Sequence, residues 1–80
     1  MFSTTPRDER HPAIVGILRY FEYAHLPAHL QPVSRRCADL AEAMVDDLPD
    51  GPELTAGLRK LLEAKDCFVR ASLPVTNTGQ

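Results

Sequence analysis

Apolar and polar positions alternate along this chain with helical periods in three stretches. From about Pro12 to Ala24 the residues Ile14, Ile17, Leu18 and Phe21 recur at i, i+3, i+4 and i+7, the spacing that lines one face of an α-helix. Pro12 suits a first helical turn, and Gly16 weakens the helix by about 1 kcal/mol relative to Ala. The segment His25–Pro32 (HLPAHLQP) carries prolines at 27 and 32. A regular helix does not run through both, so a bent connector is expected. A second helix is predicted from about Val33 to Leu48, with the stripe Val33, Cys37, Leu40, Ala41, Met44 and Leu48. The run Pro49-Asp50-Gly51-Pro52 breaks it, and Asp50 followed by Glu53 resembles a capping box for the next helix. That third helix is predicted from about Pro52 to Leu73. Its pattern is Leu54, Leu58, Leu61, Leu62, Lys65, Phe68, Val69 and Ser72, with Lys65 the charged exception.

At 1.5 Å per residue the second and third helices are about 24 and 32 Å long, and a four-residue link makes such a pair antiparallel. The expected fold is all-α: a short N-terminal helix plus an antiparallel two-helix hairpin, assembled as a homo-oligomer. Residues 1–10 (MFSTTPRDER) and 74–80 (PVTNTGQ) are aperiodic and read as flexible tails around a hairpin domain at 11–73. Self-association follows from size. A chain of 80 residues buries only about 60–65% of the surface its unfolded form exposes. The adjacent Leu61 and Leu62 widen the third helix's stripe beyond a single seam, which leaves apolar surface for further copies.

Composition narrows the function classes. Nine basic and eleven acidic residues give a net charge of −2, which argues against DNA binding through a broad basic face. No signal-peptide h-region and no run of ~20 apolar residues is present, so a cytoplasmic protein without a membrane span is expected. Cys37 lies on an apolar helical face and reads as a reduced packing residue; neither it nor Cys67 belongs to a CxxC pair. His25 and His29 stand at i, i+4, but Pro27 lies between them and no carboxylate follows at ligand spacing, so no metal site is expected. No nucleophile elbow, phosphate-binding glycine loop or catalytic carboxylate pair appears, and the chain reads as a non-enzyme without a cofactor.

The second helix is charged against its own dipole. It opens Val33-Ser34-Arg35-Arg36 and closes with Asp46 and Asp47, where a helix favours acids first and cations last. A helix start with two guanidinium groups and the Ser34 hydroxyl could hold a phosphate. Alternatively Arg35 and Arg36 pair with Asp39 or with acids of a neighbouring subunit. Tyr20 and Tyr23 lie off the first helix's apolar stripe. Each either packs half-buried with a wet hydroxyl or stacks on a nucleobase beside a phosphate-holding arginine. Arg59, Lys60, Lys65 and Arg70 on the third helix read as a solvated face or as intersubunit ion pairs.

The strings YFEYAHLPAHLQPVSRR, CADLAEAMVDDLP and GLRKLLEAKDCFVRA resemble, over about residues 19–72, small phage proteins with the hairpin domain of the anti-CBASS cyclic-nucleotide sponges, a domain shared with some Thoeris anti-defence proteins. The resemblance implies an all-α homohexamer in the host cytoplasm. Such proteins sequester cyclic di- and trinucleotide messengers without degrading them. It also implies a dinucleotide pocket between protomers, with a tyrosine on the base and a basic residue fifteen positions later on phosphate. Tyr20 and Arg35 have that spacing, with Ser34, Arg36 and Tyr23 beside them. The family commonly has lysine where Arg35 stands. A trinucleotide pocket at a three-fold junction, by the same resemblance, would use Arg70 with Ala64 upstream. The rival readings from the residues are a helical protein–protein adaptor and a phage structural or assembly module.

Overall fold

A computed structural model describes residues 10–73. Among them the chain forms three α-helices and no strand: α1 (Pro12–Arg19), α2 (Gln31–Asp47) and α3 (Pro52–Ala71), with one 3₁₀ turn (Ala28–Leu30) before α2. The 17 residues of α2 and the 20 of α3 make rods about 25 and 30 Å long. They pack along each other as the hairpin, and α1 lies on the same hairpin in contact with both.

The start of α1 matches the expectation. His11 is its N-cap, with Nδ1 accepting from Ala13 N at 3.1 Å, and Pro12 opens the first turn. Its end comes five residues earlier than the periodicity suggests. The amides of Tyr20, Phe21 and Glu22 bond back three residues, to Ile17, Leu18 and Arg19, at 3.0–3.2 Å. This tighter winding ends the helix and turns Phe21 into the core, where it is 2% exposed.

The two prolines break the chain at different points from those expected. Pro27 is the N-cap of the 3₁₀ turn, whereas Pro32 sits in the first turn of α2 and belongs to that helix. A first-turn proline loses no helical bond, because its missing N–H would have had no partner there. Gln31 fastens the connector: its Nε2 donates to Leu26 O at 2.8 Å and, more weakly, to Ala24 O at 3.4 Å.

The core forms where α1 crosses the hairpin. Ile14, Ile17 and Phe21 pack on Cys37, Ala38, Ala41 and Val45 of α2 and on Leu54 and Leu58 of α3. Cys37 and Ala41 are buried as expected, but the rest of the expected stripe of α2 is corrected. The buried line is Ser34, Cys37, Ala38, Ala41 and Val45, about 100° round from a line through Leu40, Met44 and Leu48. Leu40 and Leu48 stay exposed. On α3 only Leu54 and Leu58 are buried, and Phe68, expected in the stripe, is 54% exposed.

Asp50 does not cap α3. The N-cap is Gly51, without a side-chain cap bond. The Asp50 carboxylate faces α1 instead, accepting from Arg10 Nε, and from the His11 amide at 2.7 Å. Arg10, placed in the tail by its sequence context, is buried at 5% exposure. Its Nη1 and Nη2 donate to Val45 O and Leu48 O, both at 2.7 Å. One guanidinium therefore satisfies two carbonyls near the end of α2 and one carboxylate of the turn, tying all of them to the start of α1. The amide and the guanidinium hold the Asp50 carboxyl below the usual carboxylate range. Residues 1–9 and 74–80, read as the tails, lie outside the described residues.

Candidate functional site

The side chains singled out as candidates divide sharply by burial. Tyr20, at the C-cap of α1, is 67% exposed. Arg35, one turn into α2, keeps 66% of its side chain in water, and Arg36 is exposed beside it. Ser34, adjacent to Arg35, is 0% exposed. The hydroxyl that was to join the arginines at the helix start faces inward instead. Helical geometry forces this, because neighbouring residues point about 100° apart. Its Oγ makes no hydrogen bond among the described residues, so Ser34 is a packing residue rather than a ligand group.

The backbone part of an anion site is also reduced. The 3₁₀ turn leads straight into α2, so the first amides already have acceptors: Leu30 N bonds Pro27 O at 2.9 Å and Gln31 N bonds Ala28 O. Pro32 supplies no N–H. The guanidinium groups of Arg35 and Arg36 stay exposed at this end. Arg35 Nε lies 3.9 Å from Asp39 Oδ2, both side chains about two-thirds exposed. An exposed i,i+4 pair of this kind contributes little, about 0.3–0.5 kcal/mol, and leaves the arginine available to a stronger acceptor.

Tyr23 differs from Tyr20. It is half-buried against the core cluster and lines a cavity of about 390 Å³ with Leu18, Phe21, Glu22, Ala24, His25, Ala38 and Glu42. This cavity carries two carboxylates and no arginine, so its electrostatics disfavour phosphate. A second cavity of about 390 Å³, lined by His11, Gly51, Pro52, Thr55, Ala56 and Arg59, lies beside the start of α3. Tyr20, Arg35, Arg36 and Arg70 line neither of them.

On α3, Ala64 is half-buried and Arg70 exposed. Six residues place them about 120° apart round the helix, so a small ligand on one protomer does not meet both. Arg70 Nη2 donates to Cys67 Sγ at 3.3 Å. Lys65 and Asp66 pair at 3.0 Å, with the lysine side chain only 13% exposed. Burial pushes the Cys37 thiol above its ordinary value, partly opposed by the Lys65 ammonium; a raised pKa keeps it an unreactive thiol. His25 lies in a turn and His29 in the 3₁₀ turn, so their spacing does not place them on one α-helical face. Among the described residues no three His, Cys, Asp or Glu side chains are grouped to hold a metal ion, and no helix is long and apolar enough to cross a membrane.

Two features were missed in the sequence. The Arg10–Asp50 clasp spans 40 residues and no local pattern marks it. The other is a groove of about 360 Å³ between α2 and α3, lined by Leu40, Met44, Leu48, Glu53, Leu54, Gly57, Leu58 and Leu61. Its signal was present, since α2 carries apolar residues on two faces and α1 is long enough to cover only one.

No protein-family model, curated protein or solved structure matches this chain.

Proposed function

We propose that this chain is a phage anti-defence protein that binds and holds the host's cyclic di- and trinucleotide messengers without degrading them, acting as a homo-oligomer in the host cytoplasm. The observation that carries the reading is the exposure of Tyr20 and Arg35. Each stands about two-thirds in water while its chain neighbour, Phe21 or Ser34, is fully packed. An exposed aromatic ring and an exposed guanidinium are the two groups that a nucleotide base and its phosphate use. On one protomer they lie outside the cavities described above, so the pocket is built between protomers, in line with the resemblance of residues 19–72.

Arg35 takes the phosphate and Tyr20 stacks on the base. Arg70, with Ala64, serves the trinucleotide where three copies meet. Sequestration needs affinity rather than turnover; nanomolar binding corresponds to about −12 kcal/mol, which two or three converging protomers can supply. A second reading, a helical protein–protein adaptor, is favoured by one observation, the apolar groove between α2 and α3.

The test is calorimetry of the purified protein with a panel of cyclic di- and trinucleotides. Submicromolar binding, release of intact ligand on boiling, and loss of dinucleotide binding in Arg35→Ala with an unchanged oligomer are the expected results. No binding below micromolar concentration removes the reading. Linear products would make the protein a hydrolase, and collapse of the oligomer in Arg35→Ala would make the arginine a structural partner.

A further inference from the structure

The groove between α2 and α3 has an almost wholly apolar lining that the fold leaves open. Leu40 is 48% and Leu48 42% exposed on its α2 wall. Leu54, Gly57, Leu58 and Leu61 form the facing wall. Glu53 is the one charged residue in its lining and stands at the turn end of the hairpin. Following the α2 wall the other way, one turn before Leu40 and on the same face, comes the exposed Arg36. The groove thus has an acid at one end and a base at the other, separated by about three turns of helix. Asp47, in the last turn of α2, adds to the acidic end.

An axially polarised apolar groove is self-complementary under a two-fold rotation. We infer that its occupant is a second copy of this chain, packed antiparallel, groove to groove, so that Arg36 of each protomer meets Glu53 of the other. A two-fold interface repeats every contact, so one ion pair becomes two, flanking leucines that leave water together. A parallel arrangement would set like charges against each other at both ends, which costs stability. The charges that run against the dipole of α2 thereby acquire a purpose. The arrangement also divides the two arginines: Arg36 pairs across the interface, while Arg35, about 100° round the helix, stays outside it. The proposal adds to the functional reading above an interface separate from the one that would bring Tyr20 and Arg35 together, and does not depend on its ligand.

Sedimentation of the full-length protein tests it, with helix content followed by circular dichroism. The wild type is expected to self-associate at micromolar concentration. Arg36→Glu and Glu53→Arg are each expected to weaken association at least tenfold, by opposing like charges, and the double variant to recover most of that loss. Leu40→Glu, at an already exposed position, is expected to shift the protein to a smaller species with its helix content kept. The proposal is overturned if the double variant associates no better than the single ones, or if Leu40→Glu leaves the assembly unchanged. A wild type that stays monomeric overturns it too, and would assign the groove to residues 1–9 or 74–80 or to a foreign partner. Nucleotide calorimetry on the same samples separates the two readings. Binding that persists while the charge swap fails sinks only the interface. A working charge swap without any nucleotide binding sinks only the ligand.

Discussion

The two faces of the hairpin are built from similar residues and meet opposite fates. On one, Cys37, Ala38, Ala41 and Val45 of α2 and Leu58 of α3 are covered by Ile14 and Ile17 of α1 and by Phe21 of the turn that follows it. On the other, Leu40, Met44, Leu48 and Leu61 line an open groove. Helix α1 has only eight residues and can cover one face. The covered face carries the smaller α2 side chains and the open face keeps the large ones. Burial in this fold therefore follows the place where the third helix lands rather than the hydrophobicity of either face.

The contrast can be broken most strongly from its covered side. Ile14 is 0% exposed, and Ile14→Ala is expected to cost about 2–5 kcal/mol, transfer plus cavity. Leu40→Ala, on the open side, should cost the isolated protomer under about 1 kcal/mol. Urea unfolding of both variants at low protein concentration checks the difference, and equal losses would mean that the two faces are equally packed in solution.

The clasp that lays α1 on its face gives the next largest effect. Arg10→Ala leaves the Val45 and Leu48 carbonyls and the Asp50 carboxylate without their charged donor. It is expected to cost about 2–3 kcal/mol, since Asp50 remains partly solvated and so loses less than a buried ion would. The same clasp sets an acid limb. The folded-state pKa of Asp50 lies below its ordinary 3.8, so the unfolded chain takes up the proton first. The stabilisation is complete above about pH 5 and is lost as pH falls through and below 3.8. Asp50→Asn should flatten that part of the stability–pH profile; a profile identical to the wild type would remove Asp50 as its source.

The smallest effect sharpens the comparison at the rim of the covered face. Ser34 is fully buried with its hydroxyl unbonded among the described residues, and a buried unsatisfied hydroxyl costs stability. Ser34→Ala is expected to raise stability by about 0.5–1 kcal/mol and to leave nucleotide binding unchanged. A thermal melt that falls by several degrees would show that the hydroxyl has a partner.

Local patterns in the chain were enough to place three helices with α2 and α3 near their observed limits, the break at Pro49–Pro52, the early-turn role of Pro12 and the core place of Phe21. Each is a short-range property: periodicity or a proline's fixed backbone. The inward turn of Ser34 was legible in principle, since it follows from 100° per residue once the buried face of α2 is known. That face was misjudged because both faces of α2 are apolar, and local spacing does not say which one a third helix will cover.

The sequence by itself determined the helices and the opposed charges at the ends of α2, because these depend on neighbours within a few residues. Only the tertiary structure decided which face of the hairpin is core, that Arg10 and Asp50 lock across 40 residues, that Ser34 turns inward beside the exposed arginines, and that a leucine groove stays open. Those outcomes depend on where one eight-residue helix comes to rest on two longer ones. That choice is made by long-range packing and by a buried guanidinium seeking acceptors, neither of which local sequence spacing encodes.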